Sequence, residues 1–265
     1  MPRAKKRLGQ HFLTDPRILA RIADALGATP ADTVLEIGPG LGGLTAALAA
    51  RAGRVVAIEK DRSLIPALRE RLPAVSVVEA DALAVDWHEV VGGPDYLVAG
   101  NIPYNITSPL LEKALEPPRP RRIVFLVQRE VAERVSAEPG TSEYGALTVG
   151  VQAQARAQLL FRVPAGAFVP RPKVDSAVLQ LEPLATPAIS DDSRRGFRRL
   201  VVGIFGFRRK QLLRGIRELT GWGSDLAAAV LARAALDGAE RPERLTVAQF
   251  AALLAALVDA GWVGD

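Results

Sequence analysis

Short apolar segments that alternate with helical ones constrain the fold of this chain more than any other feature. Five runs rich in Val, Ile and Leu occur in its first half, and segments with helical spacing of apolar residues separate them. The runs span residues 33–37, 54–59, 75–81, 96–99 and 122–128. Buried strands that alternate with helices are typical of a parallel sheet. The sequence therefore predicts an α/β fold.

The first four predicted strands each end in or near a polar side chain. These side chains belong to Glu36, Glu59, Asp81 and Asn101. Open α/β sheets bind ligands beyond the carboxyl ends of their strands. Glu59 can accept both hydroxyls of a ribose there, and Asp81 can accept a bond from an adenine amino group. Each acid alone could be a solvated surface residue, but their recurrence at equivalent points favours one shared site.

A glycine-rich turn follows the first strand, with glycines at positions 38, 40 and 42. Glycines at such a turn allow a ligand to approach the backbone closely. The spacing Gly38-x-Gly40-x-Gly42 is one residue shorter than the dinucleotide fingerprint G-x-G-x-x-G, and nothing in the sequence offers a site for hydride transfer. A dehydrogenase is therefore the weakest interpretation of the turn.

The tetrapeptide Asn101-Ile102-Pro103-Tyr104 ends the fourth strand and precedes a segment of helical character. The Asn101 oxygen and a backbone carbonyl near Pro103 can accept the two N–H bonds of an exocyclic amino group. Tyr104 offers a flat face on which a nucleobase can stack. These contacts would turn the nitrogen lone pair towards an electrophile without a strong base. The alternative is an ordinary strand-to-helix turn.

Composition limits the class of protein. At 265 residues and 49% hydrophobic content, the chain can form one large domain and a small one. Cysteine is absent and only His11 and His88 are imidazoles, so we expect no disulfide and no metal centre. No apolar run suggests a signal peptide or a membrane span, so we expect a cytoplasmic protein. The net charge of +5 indicates a polyanionic partner, although thermophilic or high-GC composition also raises the arginine content without any function.

The last third of the chain predicts a small helical domain. Two prolines within residues 183–190 indicate a boundary. We therefore predict a domain at 1–184, which includes a basic N-terminal arm, and a domain at 185–265. A run of nine cations without an intervening acid lies beside three phenylalanines, which favours a phosphate-binding face over a solvated one. The cations are Arg194, Arg195, Arg198, Arg199, Arg208, Arg209, Lys210, Arg214 and Arg217.

Together the glycine turn, the strand-end acids and the tetrapeptide resemble a class I S-adenosylmethionine-dependent methyltransferase that modifies adenine N6. The segment Gln10-His11-Phe12-Leu13 and residues 101–109 resemble the rRNA adenine dimethyltransferase family, in particular its KsgA branch. Residues 168–176 match the family signature F-x-P-x-P-x-V-x-S, and residues 205–212 resemble its element F-x-x-R-R-K-x-L. The sequence departs from the family at His11, where Asn is frequent, and at Gly206-Phe207, where small polar residues are common.

The resemblance implies a Rossmann-like methyltransferase sheet, an antiparallel strand over residues 177–181, and S-adenosylmethionine as the methyl donor. It implies that the cofactor is bound by Gln10, His11, Leu13, Gly38, Gly40, Glu59, Asp81 and Asn101. It implies that the target base is contacted by the catalytic residues Asn101, Pro103, Tyr104 and Phe168. It implies that RNA is bound by Arg171, Lys173, Arg208, Arg209 and Lys210.

The same resemblance implies dimethylation of two adjacent adenosines in a hairpin near the 3′ end of 16S rRNA, in the 30S subunit or its precursor. One active site per chain needs no partner, so we expect a monomer. The closest alternative is an Erm-type methyltransferase of large-subunit rRNA, although residues 105–109 and the basic element near Arg208 favour the small-subunit branch. A third hypothesis is a non-catalytic assembly or transcription factor on the same fold, against which the intact Glu59, Asp81 and Asn101 argue.

Overall fold

The computed structural model describes Lys5 and residues 9–263 of the chain. Apart from Lys5, the predicted basic arm lies outside the described residues. The strands within them are β1 (Phe12–Leu13), β2 (Thr33–Ile37), β3 (Arg54–Glu59), β4 (Ser76–Glu79), β5 (Leu97–Asn101), β6 (Arg122–Gln128), β7 (Ala155–Val163), β8 (Phe168–Val169) and β9 (Ser176–Pro183). The five strands predicted from apolar runs are therefore all present, with shifts of one or two residues at some ends.

Seven strands form one sheet in the order β4-β3-β2-β5-β6-β9-β7. Neighbouring strands from β4 to β6 are parallel, and β9 runs antiparallel to β6. The chain therefore winds from β2 in one direction through β3 and β4, and in the other direction through β5 and β6. The switch point between β2 and β5 is where open α/β sheets bind ligands.

Helices follow the parallel strands and then make up most of the C-terminal part of the chain. They are α1 (Pro16–Leu26), α2 (Gly43–Ala49), α3 (Ile65–Arg71), α4 (Trp87–Val91), α5 (Thr107–Ala114), α6 (Arg129–Val135), α7 (Ala146–Gln152), α8 (Arg194–Gly206), α9 (Leu212–Thr220), α10 (Ser224–Arg233) and α11 (Val247–Asp259). No helix of the described residues is both long and apolar enough to cross a bilayer.

The chain divides into two compact units. The first unit comprises Met1–Ala132 and Ala157–Pro183, and the second comprises Glu133–Arg156 and Leu184–Asp265. One division lies between Pro183 and Leu184, and residues 133–156 belong to the second unit. That segment groups with the later helices because Tyr144, at its centre, is buried in their apolar core and donates a hydrogen bond to the Leu245 carbonyl at 2.8 Å.

Two pairings were not predicted. β7 is an edge strand of the sheet, and its half-buried residues lack the continuous apolar run that marks the central strands. β1 and β8 form a separate antiparallel ribbon, in which Leu13 pairs with Phe168. A strand of two residues has no periodicity, so only the fold shows this pairing. The ribbon places the segment before α1 beside the proline-rich segment that starts at Phe168.

Candidate active site

A cavity lies at the carboxyl ends of β2, β3, β4 and β5, where the sequence analysis predicted a shared site. It is lined by residues 9–13, Leu19, residues 36–41 and 43–44 around the glycine turn, residues 58–60, residues 80–83 and residues 101–106. The structure therefore brings together most of the predicted site residues. They are Gln10, His11, Leu13, Gly38, Gly40, Glu59, Asp81, Asn101, Pro103 and Tyr104.

Two glycines shape the floor of this cavity. Gly38 and Gly40 adopt φ angles of 69° and 57°, a conformation that L residues rarely adopt. A Cβ on Gly40 would also lie 3.0 Å from the ring of Phe12. Both positions therefore require glycine. Any other residue would strain the backbone at position 38, and at position 40 it would also crowd the Phe12 ring.

Glu59 is held in a fixed orientation at the end of β3. Its Oε1 accepts the Asp61 N–H at 2.7 Å, and its Oε2 accepts the Gly40 N–H at 3.2 Å. Each carboxylate oxygen can accept a second bond, so a lone pair on each is still available to a ligand. Burial raises the pKa of Glu59 despite hydrogen bonds from the backbones of Asp61, Gly40 and Lys60. The residue thus fits two hydroxyls of a ribose.

Glu36 is a buried acid in the cavity wall. The sequence analysis placed it at the end of a predicted strand and predicted no role for it. Its side chain is 1% exposed, and Oε2 has no hydrogen-bond partner among the described residues. Burial raises its pKa to about 8. An unpartnered buried acceptor costs free energy unless a ligand or a proton satisfies it, so Glu36 fits a cavity that receives a polar ligand.

Replacement of Glu36 should change the pH dependence of stability. A folded pKa near 8, against an ordinary value of 4.5, means that the native state holds a proton which the unfolded state has released between these values. Stability therefore falls as pH rises through this window, by at most about 1.4 kcal/mol per pH unit. In urea unfolding curves recorded from pH 5 to pH 9, we expect Glu36→Gln to remove the part of the decline that comes from Glu36, while the part from Glu59, whose pKa burial also raises, remains. Glu70→Gln, at an exposed site on α3, should leave the whole decline unchanged, and an equal decline in both variants would contradict the assignment.

Asp81 lies just beyond β4, and each of its carboxylate oxygens already accepts one hydrogen bond. Its Oδ2 accepts a bond from the Lys60 ammonium at 2.6 Å, and its Oδ1 accepts the Leu83 N–H at 3.0 Å. The bond from Lys60 is the main reason that the pKa of Asp81 is lowered. Asp81 is therefore an ionised acceptor at the rim of the cavity.

Asn101 and Tyr104 are positioned by residues distant in sequence. The Asn101 amide nitrogen donates to the His11 carbonyl at 2.8 Å, and within the described part of the chain no group donates to its oxygen, which can therefore accept a bond. The ring of Tyr104 stacks against that of His11, with centroids 5.7 Å apart, and its hydroxyl bonds to that of Ser176 at 2.7 Å. His11 itself donates from Nδ1 to the Pro170 carbonyl at 2.8 Å. The N-terminal segment thus orients the tetrapeptide.

The Pro103 carbonyl already accepts two hydrogen bonds. It accepts the Ile106 N–H at 3.1 Å and the Thr107 hydroxyl at 3.3 Å, because a short helical turn starts directly after it. Ile102 also lines the cavity, so its carbonyl is the alternative second acceptor for an amino group. Pro103 contributes its fixed backbone conformation.

Phe168 does not line the cavity, in contrast to the expected contact with a target base. Its side chain is 3% exposed and packs in the apolar core of the first unit. The physical reason is the pairing of Phe168 with Leu13 in the ribbon, which directs the ring into the protein. Nearby Arg171 and Lys173 are exposed.

The cations predicted in the helical region have different surroundings. Arg209 is exposed. Arg208 donates to the Thr141 carbonyl at 3.2 Å and lies 4.0 Å from Glu243, and Lys210 donates to Glu218 at 2.9 Å. Arg208 and Lys210 would have to exchange these contacts to bind phosphate.

Comparison with solved structures defines the class. The fold matches that of a dimethyladenosine transferase from Plasmodium falciparum (TM-score 0.83, 27% identity, 95% of this chain and 98% of that one). It also matches the 23S rRNA methyltransferase ErmE (TM-score 0.71, 30% identity, 93% and 99%). With the glycine turn and the strand-end acids around one cavity, this is the fold of a class I S-adenosylmethionine-dependent methyltransferase.

Sequence relatives define the family. Residues 1–256 match the family model described as ribosomal RNA adenine dimethylase. Ribosomal RNA small subunit methyltransferase A from Pelotomaculum thermopropionicum is 43% identical over 97% of this chain and 92% of its own length. The Myxococcus xanthus protein of the same name is 44% identical over 96% and 91%. The chain therefore belongs to the ribosomal RNA adenine dimethylase family and is a methyltransferase.

Proposed function

We propose that this protein binds S-adenosylmethionine in the cavity and dimethylates N6 of two adjacent adenosines near the 3′ end of 16S rRNA, within the 30S particle or its precursor. The observation that supports this most directly is the meeting of the Asn101 amide, the Tyr104 ring and the Glu59 carboxylate around one cavity. The names of the relatives support the small-subunit target.

The proposed cofactor contacts follow from the available acceptors. Glu59 accepts the ribose hydroxyls, Asp81 accepts the adenine amino group, and the turn at Gly38 and Gly40 lets the remainder approach the backbone. When bound, S-adenosylmethionine supplies an electrophilic methyl group on a sulfonium. Leu13 forms an apolar part of the wall, and the His11 carbonyl acts through Asn101.

The proposed chemistry depends on alignment of the acceptor nitrogen. The free Asn101 oxygen and the Ile102 carbonyl accept the two amino hydrogens, so the nitrogen lone pair turns out of conjugation with the purine. Tyr104 stacks on the base and limits its tilt. Holding reactants in this way provides rate enhancement without a general base of high pKa. Exposed Arg171, Lys173 and Arg209 are proposed to contact RNA phosphates, joined by Arg208 and Lys210 once their present contacts open.

Removal of the Tyr104 ring should slow methyl transfer by about tenfold, as expected from the worth of one base-stacking contact. We expect Tyr104→Ala to lower kcat/KM for RNA by this factor. Tyr104→Phe keeps the ring and loses only the bond to Ser176, so it should stay within about threefold, on the scale of one neutral hydrogen bond. Equal losses in both variants would show that the hydroxyl, and not stacking, is what matters.

The experiment that tests the proposed function is incubation with radiolabelled S-adenosylmethionine, followed by nucleoside mass analysis. Undermethylated 30S particles and naked large-subunit rRNA are offered as alternative substrates. We expect N6-dimethyladenosine in 16S rRNA. Label in large-subunit rRNA would instead support an Erm-type activity, which the likeness to ErmE makes the second candidate. Binding of the particle without transfer would indicate an assembly factor.

A further inference from the structure

Asp61 is a buried acid that the proposed function does not use. It lies two residues after Glu59, and its side chain is 2% exposed, yet it does not line the cavity. Its backbone N–H donates to Glu59 Oε1 at 2.7 Å. Asp61 is thus connected to the proposed ribose-binding carboxylate through the main chain and faces other partners with its side chain.

Those partners come from the N-terminal segment and from Ser63. Lys5 donates from its ammonium to Asp61 Oδ1 at 2.5 Å, and Gln10 donates from Nε2 to Asp61 Oδ2 at 3.0 Å. Ser63 donates its hydroxyl and its N–H to Oδ1 at 2.6 Å and 3.0 Å. Two residues remote in sequence therefore meet one carboxylate. We refer to the contacts of Lys5 and Gln10 with Asp61 as the clasp.

The clasp stabilises the ionised form of the Asp61 carboxylate. Burial opposes ionisation of Asp61, but the bonds from Lys5, Ser63 and Gln10 outweigh it and hold the pKa of Asp61 well below its usual range. A buried carboxylate that loses its cation and one of its donors is left under-compensated. Opening of the segment would therefore require Asp61 to gain water in place of Lys5 and Gln10.

Gln10 is engaged at both ends of its amide. While Nε2 donates to Asp61, Oε1 accepts the Lys5 N–H at 2.8 Å. Both polar atoms of the Gln10 amide thus have partners within the protein. Gln10 is therefore better suited to hold the backbone of the N-terminal segment in place than to bind a ligand directly. Residues 9–13, which follow from this point, form one wall of the cavity, and within them the His11 carbonyl holds Asn101.

We propose that Asp61 is a positioning residue that keeps the wall at residues 9–13 closed over the cofactor through the clasp. Asp61 then controls how fast S-adenosylmethionine leaves the cavity, while the reacting groups are set by Asn101 and Tyr104. The proposal rests on the proposed function in one respect, namely that the cavity binds this cofactor.

Hydrogen–deuterium exchange of the free protein tests the clasp without any cofactor. In Asp61→Asn, we expect the backbone amides of residues 9–13 to exchange at least about tenfold faster than in wild type, the effect of losing one bond to a charged group. Because the Lys5 side chain is 36% exposed, we expect Lys5→Met to fold normally and to give a smaller increase in the same amides. Asp24→Asn, which removes an exposed ion pair with Arg51, is the control and should change nothing there.

A second experiment tests whether Asp61 controls release of the cofactor. Labelled S-adenosylmethionine is bound first, and its dissociation is followed after addition of excess unlabelled cofactor. We expect about tenfold faster release from Asp61→Asn, a matching rise in KM for the cofactor, and kcat within about twofold of wild type. The double variant with Lys5→Met should release no faster than Asp61→Asn alone, because both remove the same clasp.

The outcomes separate the two proposals. Failure of the wild-type protein to bind the cofactor would overturn the proposed function, whatever the exchange data show. Normal wild-type binding, with release from a folded Asp61→Asn variant within twofold of wild type, would overturn the clasp alone. A fall in kcat as large as the rise in KM would also overturn it, since Asp61 would then act on the reacting groups.

Discussion

Asn101→Ala should lower the rate of methyl transfer about 10²–10³-fold, the range seen when one preorganised hydrogen-bonding group is removed from an active site. The Asn101 oxygen is the side-chain acceptor that we propose for the amino hydrogens, and its orientation is set by the bond from its nitrogen to the His11 carbonyl. The measurement is single-turnover formation of N6-methylated adenosine on 30S particles at saturating cofactor.

The control for this prediction is Gln158→Ala, which removes an exposed amide from the edge strand β7. It should retain the wild-type rate. We also expect Asn101→Ala to bind S-adenosylmethionine with an affinity within about tenfold of wild type, the value of one hydrogen bond. If transfer survives at more than a tenth of the wild-type rate, the amino group is held by other acceptors and the proposed mechanism is wrong.

Glu59→Gln should weaken cofactor binding about 10²-fold, because a neutral amide has one acceptor oxygen in place of two charged ones, and its NH2 group would face the N–H of Gly40 or Asp61. Equilibrium dialysis with labelled S-adenosylmethionine measures the change. Glu79→Gln is a matched control: Glu79 pairs with Glu59 in register on the adjacent strand, but it lies outside the cavity lining and contacts Arg62. Equal losses in both variants would contradict the ribose assignment.

The raised pKa of Glu59 adds a pH dependence to the same experiment. Only the ionised carboxylate accepts both hydroxyls fully, so binding should weaken as pH falls through the raised pKa, at a higher pH than an ordinary Glu would show. Glu59→Gln should be insensitive over that interval. A wild-type affinity that stays constant down to the ordinary Glu range would indicate that Glu59 is not a ligand.

Much of the fold followed from local sequence. Strands β3 and β6 were predicted to the residue, since long buried strands require uninterrupted apolar runs with polar ends. The antiparallel strand β9 also matched the expectation drawn from the family resemblance. The ribbon of β1 with β8 and the edge strand β7 were missed, because two-residue pairings and half-buried edges have no distinctive period.

The sequence by itself determined which chemistry was available: the glycine turn, Glu59, Asp81 and the tetrapeptide at Asn101 all line the cavity at the strand ends. These residues were predictable because parallel strands bring their carboxyl ends to one edge, so strand position converts directly into proximity.

Only the tertiary structure decided how those groups are oriented. The bond from Asn101 to His11 spans 90 residues, and the bond from Lys5 to Asp61 spans 56. The burial of Phe168, which removes it from the cavity, depends likewise on its pairing with Leu13. Such contacts join segments with no common local pattern, and their geometry is set by packing of the whole unit.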